Sequence, residues 1–112
     1  MLLCGRDIDL PAYVPGATSN ARANGITAEL VRADGIILGT PGYHGGLSGL
    51  VKNALDYTED LRSNKRPYLE DRPVGCVVTA AGEQLDLALR WLTSAEPTKP
   101  RNRYLPAMSR RT

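Results

Sequence analysis

The 112-residue chain has no Phe, one Trp, one His and two Cys. With aromatics at only 5% of residues, any core must be mainly aliphatic. A lone His, His44, and two distant cysteines, Cys4 and Cys76, with no CxxC pair, give no metal-ligand spacing and no disulfide framework. No metal site is expected, and the cysteine usage suits a reduced, cytoplasmic protein. No apolar run approaches the roughly 20 residues that a membrane helix requires. Met1 to Gly5 is followed at once by Arg6, Asp7 and Asp9, which gives no signal-peptide core. These features predict a protein with no membrane partner.

Charge is sparse on balance, at +2 overall, and unevenly placed. Residues 97–112 hold Lys99, Arg101, Arg103, Arg110 and Arg111 with no acid and three prolines, which leaves the rest of the chain at −3. That tail reads as a basic, Pro/Arg-rich, disordered end outside a single domain of residues 1–96. So small a net charge gives no case for nucleic acid as a partner.

What is present is a glycine-rich segment, Gly39-Thr40-Pro41-Gly42-Tyr43-His44-Gly45-Gly46-Leu47-Ser48-Gly49. It lies between an apolar run, Gly35 to Leu38, and an amphipathic helical pattern. A strand opening through a bare loop into a helix is the usual α/β binding layout, with the ligand outside the strand's carboxyl end.

The pattern predicts a short strand at Asp7–Leu10, then a helix from about Thr18 to Arg32. Ala21, Ile26, Leu30 and Val31 are its apolar positions, and Asn24-Gly25 argues against its continuity. Ile36–Leu38 and Val74–Thr79 read as buried strands, the first covered on both faces. Between them Leu47, Leu50, Val51, Ala54, Leu55 and Leu61 form one helical stripe, with Leu50, Val51, Ala54 and Leu55 expected to be buried. Leu85, Ala88, Leu89 and Leu92 suggest a last short helix. Alternating strands and helices imply an α/β fold with parallel strands and helices on both faces. The exit loops at Thr40 and Ala80 should then open at one end of the sheet.

The run Pro41-Gly42-Tyr43-His44-Gly45-Gly46-Leu47-Ser48-Gly49-Leu50-Val51-Lys52-Asn53-Ala54-Leu55-Asp56 resembles the NADPH-dependent FMN reductase family, of flavodoxin-like fold. The family pattern is roughly P-x-Y-x-x-x-x-x-G-x-L-K-N-x-L-D. Pro41, Tyr43, Gly49, Lys52, Asn53, Leu55 and Asp56 match it, with Val51 in place of Leu. The likeness covers about residues 5 to 84. Nothing like the family's G-S-x-R phosphate loop precedes Asp7, and the sequence after Gln84 departs from the family. The resemblance therefore implies an incomplete flavodoxin-like sheet lacking the first and last strands.

The same resemblance implies FMN as cofactor and NADPH as co-substrate. It makes Thr40, Pro41, Gly42, Tyr43, His44, Gly45, Ala81 and Gly82 cofactor-binding and no residue catalytic, because the flavin carries the hydride chemistry. It implies NAD(P)H-driven reduction of FMN or, through bound FMN, of a small electron acceptor such as a quinone. Helix 47–61 is a candidate homodimer contact. The alternatives are a non-catalytic flavin-binding or dimerisation module, and an inactive gene fragment.

Overall fold

A computed structural model describes residues 1–17, 20–44, 46–81 and 104–110. The elements run α1 (Ala21–Arg32), β1 (Ile36–Pro41), α2 (Gly49–Asp56), a 3-10 helix (Tyr57–Leu61), β2 (Val74–Ala80) and β3 (Tyr104–Arg110). The expected helix over Leu85–Leu92 lies outside the described residues. The chain divides into two compact units, Met1–Ala33 with Gly49–Leu69, and Asp34–Ser48 with Glu70–Thr112.

The first unit is helical. Asn20 caps α1, its side-chain oxygen accepting the Ala23 N–H at 3.0 Å. The helix then runs through Asn24-Gly25 without a break. A mid-helix glycine costs about 1 kcal/mol, and the cap together with the burial of Ala23 and Ile26 outweighs it. Leu30 is half-buried, whereas Ala21 and Val31 are exposed. The core joins Leu10, Ala23 and Ile26, with Leu3, Ile8, Leu30, Ala54 and Tyr57 packed around them.

Asp7–Leu10 is not a strand. Its backbone turns instead, with the Asp7 and Ile8 N–H groups donating to the Cys4 carbonyl at 2.9 and 3.3 Å. The Asp7 carboxylate accepts the Cys4 N–H in return at 2.7 Å. A short acidic side chain that bonds its own backbone competes with any ladder, and this one wins.

The stripe of the second helix is only partly buried. Val51 and Leu61 are buried, Ala54 and Leu55 half-buried, and Leu50 is exposed. Neighbouring helix positions lie about 100° apart, so Leu50 and Val51 cannot both sit at the centre of one contact face. The helix tightens at Tyr57–Leu61, where the Thr58 hydroxyl donates to the Leu55 carbonyl at 2.7 Å. Lys52 and Asp56 form an ion pair along it.

The second unit is a parallel sheet in the order β1-β2-β3. Ile36 lies opposite Val74 and Pro41 opposite Thr79, so the two central predicted strands pair in parallel as expected. Val74, Cys76 and Val78 form the core, with Ile36, Leu38, Leu47 and Ala80 against them. The predicted coverage of β1 on both faces does not hold. Ile37 is 79% exposed and Gly39 is exposed, while Thr40 is buried. Side chains alternate across a strand, so an apolar tripeptide does not by itself mean two covered faces.

The expected disordered tail also needs correction. Tyr104–Arg110 forms β3, pairing in parallel with β2 from Val74↔Tyr104 to Ala80↔Arg110. The basic residues flank an apolar stretch, Tyr104-Leu105-Pro106-Ala107-Met108, whose length matches a strand. Pro106 is acceptable there because β3 ends the sheet order, where one missing ladder N–H is tolerated.

Candidate functional site

Parallel pairing fixes where the strand ends open. Thr40 is opposite Val78 and Pro41 opposite Thr79, so the loops after β1 and β2 leave the same, carboxyl end of the sheet. In open α/β sheets ligands bind at that end. Thr40, Pro41, Gly42, Tyr43 and His44 thus leave the sheet at the same end as Ala81, which directly follows β2. Gly45 and Gly82 lie outside the described residues.

The β1 exit loop is held by its own polar groups. The Gly42 N–H donates to the Thr79 carbonyl at 2.8 Å, which extends the β1–β2 ladder one step into the loop. Tyr43 to Gly46 closes a turn, with the Gly46 N–H donating to the Tyr43 carbonyl at 2.9 Å. His44 takes φ of 51° inside that turn, the left-handed region that a tight reversal of this kind demands. At the far side the Ser48 N–H donates to the Thr40 hydroxyl oxygen at 3.1 Å.

The loop therefore has a fastened base and an exposed tip. Thr40, Gly42 and Ser48 are buried, while Tyr43, 63% exposed, and His44 project from the chain. An exposed ring on a pinned backbone can cover a flat ligand with little loss of side-chain freedom on binding. Of the backbone groups around it, Pro41 has no N–H, and the Gly42, Gly46 and Ser48 N–H groups are engaged within the protein. Among its described residues the loop carries no carboxylate. Among the described residues no cluster of His, Cys, Asp and Glu has the make-up of a metal centre.

Lys52 and Asn53, the charged and polar centre of the matched pattern, lie on α2 in the other unit. Asn53 holds the N-terminal segment. Its amide donates to the Leu10 and Pro11 carbonyls at 3.1 and 2.9 Å, and its carbonyl accepts the Tyr13 N–H at 2.8 Å. Tyr57 adds a hydrogen bond from its hydroxyl to the Pro11 carbonyl at 2.9 Å. The sequence suggests that Lys52 and Asn53 hold the glycine-rich loop or line a dimer contact, whereas Asn53 is bonded to Leu10, Pro11 and Tyr13. These partners are some forty residues away, and periodicity carries no signal for such a contact.

Comparison with known proteins agrees with this layout. Residues 2–94 match the family described as NADPH-dependent FMN reductase. That match runs past Gln84, so the family likeness extends further than the motif alone indicates. An FMN-dependent NADPH-azoreductase of Staphylococcus haemolyticus is 39% identical over 54 residues, covering 48% of this chain and 26% of that protein. One from Staphylococcus aureus strain USA300 is 44% identical over 50 residues, covering 45% of this chain and 23% of the relative. The chain thus spans about a quarter of the length of these relatives. Parallel strands, a glycine-rich strand exit and a family match over most of its length place the chain in the NADPH-dependent FMN reductase family, as an incomplete flavodoxin-like α/β fold.

Proposed function

We propose that this chain is an NAD(P)H-dependent, FMN reductase-like flavoprotein. It binds FMN at the carboxyl end of β1 and β2 and uses NADPH to reduce FMN or, through it, a small acceptor such as a quinone. The observation that carries this is the pinned, exposed Pro41–His44 loop at the same sheet end as Ala81, in a family whose named activity is FMN reduction. The azoreductase names of the relatives support a small-molecule acceptor.

The residues fit the ring portion of FMN. With the Gly42 N–H engaged at Thr79 and Pro41 lacking one, the Tyr43 and His44 N–H groups are the candidates to donate to its pyrimidine edge, where negative charge would be stabilised. Tyr43 supplies an apolar face, and Ala81 leaves room for close approach on the β2 side. When bound, FMN supplies the hydride chemistry, accepting from the nicotinamide and passing electrons on. The chain's own residues bind and orient; none is assigned a proton transfer.

The proposal includes a homodimer contact through α2, the helix on which Leu50 is 43% open to solvent. Neither cysteine forms a disulfide, which supports a cytoplasmic setting. Among the described residues no helix is long and apolar enough to cross a membrane.

The test is anaerobic mixing of the purified chain with FMN and NADPH. Bleaching of the flavin band well above the protein-free rate supports the enzyme. Flavin binding without bleaching supports a non-catalytic binding module instead.

A further inference from the structure

Thr40 stands among the candidate flavin contacts, yet its side chain is turned inward. It is 4% exposed, and its hydroxyl is used twice within the protein. The oxygen accepts the Ser48 N–H at 3.1 Å, and the O–H donates to the Pro41 carbonyl at 2.9 Å. One hydroxyl therefore fastens both ends of the segment that carries Pro41, Gly42, Tyr43 and His44. The chord spans eight positions of sequence, and Ser48 is itself buried at 9% exposure. On the strand side Thr40 is fixed by its place in β1, opposite Val78.

We infer that Thr40 is a positioning residue of the ligand loop rather than a flavin contact. Its hydroxyl clasps the loop shut at the base, so that the exposed tip meets the ring in a fixed shape. The inference rests on the flavin-site reading above for its ligand, and on the geometry alone for the clasp. The physical argument is asymmetric. A hydroxyl already engaged as donor and acceptor has little left to offer a ligand. Removing it takes the Thr40 oxygen away from the buried Ser48 N–H, which loosens the loop rather than deleting a ligand bond. A pre-shaped loop loses less freedom on binding, so opening it weakens the ligand without touching it.

The test uses the full chain, with amide hydrogen exchange at Ser48 followed by NMR without flavin, and FMN titration of the same samples. Thr40→Val keeps the shape and removes the oxygen; Thr40→Ser keeps the oxygen. The expected result is a protected Ser48 amide in the unmodified chain. In Thr40→Val its protection should fall by about tenfold, with FMN binding weakened by a similar factor. Thr40→Ser should restore both. Should Thr40→Val fail to fold, Thr40→Ala with the same two readouts replaces it.

An unprotected Ser48 amide in the unmodified chain overturns the clasp. So does full protection in Thr40→Val. Lost protection with unchanged FMN affinity overturns the positioning role, and so does Thr40→Ser binding as weakly as Thr40→Val, because FMN binding then does not follow the oxygen that makes the clasp. A protected Ser48 amide in a chain that binds no FMN at all leaves the clasp standing but removes the flavin site, and the positioning role falls with it.

Discussion

The side chain of Asn53 accepts the backbone N–H of Tyr13 at 2.8 Å across forty positions of sequence. With its two bonds to the Leu10 and Pro11 carbonyls, this makes Asn53 the buckle of the helical unit. The edge-on contact between the Tyr13 and Tyr57 rings, centroids 5.1 Å apart, lies beside it. Asn53 belongs to the family pattern, and the structure gives it a structural role rather than a chemical one.

Asn53→Ala should therefore destabilise the chain by about 1–3 kcal/mol, because the Tyr13 N–H and the Leu10 carbonyl lose this partner together and the Pro11 carbonyl keeps only Tyr57. Asn53→Asp should recover only part of this, since it keeps the acceptor for Tyr13 and loses both donors. Urea unfolding followed by circular dichroism measures the shift. An unchanged midpoint in Asn53→Ala would show that water replaces the side chain without cost.

Alkaline stability follows from Tyr13. Its hydroxyl donates to the Asp60 carboxylate at 2.9 Å, and that hydrogen bond, followed by burial and the negative charges of Asp60 and Glu59, raises its pKa above 10.0. Tyr68 is raised as well, through burial and then Glu59. A folded-state pKa above the unfolded one means that the native state holds its proton more tightly. The contribution is full below about pH 10 and is lost as pH rises through the folded values. Melting temperature should fall in that alkaline range, and Tyr13→Phe should flatten part of the fall. A melting temperature that rises above pH 10 would contradict the sign.

The two faces of the sheet should respond unequally to substitution. Val78 is 0% exposed and Ile37 is 79% exposed. Val78→Ala should cost about 2 kcal/mol, and Ile37→Thr should stay within about 0.5 kcal/mol. Equal costs in chemical denaturation would mean that the outer face of β1 is covered after all.

The tip of the loop carries backbone strain at His44, with φ of 51°. His44→Gly should stabilise the chain by up to about 1 kcal/mol, as the left-handed conformation no longer opposes a Cβ. Differential scanning fluorimetry reads this as a raised melting temperature. A lowered one would show that the imidazole makes a contact that outweighs the strain.

The strand–loop–helix order and the parallel pairing of β1 with β2 were legible because period and turn chemistry are local signals. The signature at Pro41, Tyr43 and Asn53 marked the loop and helix from sequence alone. What failed was decided at longer range. Asp7–Leu10 has strand-like residues, yet the Asp7 carboxylate bonds the Cys4 N–H and turns the chain. Ile37 looks like core, and whether it is depends on a second layer that the strand pattern cannot report. Tyr104–Arg110 was hidden among prolines and arginines, where composition outvoted a seven-residue apolar-centred stretch. The inward turn of Thr40 left no trace in sequence, because a threonine at a strand exit serves a ligand or its own loop equally well.

The central claim is that the loop after β1 holds a flavin ring. A titration of the purified chain with FMN, followed by the flavin's visible absorbance and by quenching of its fluorescence, tests it most directly, with Tyr43→Ala as the control. Tyr43 is 63% exposed, so its truncation should leave the fold intact. The account predicts saturable binding by the unmodified chain, weakened about tenfold or more in Tyr43→Ala at unchanged melting temperature. No saturable change with FMN, or equal binding by both proteins, would contradict it.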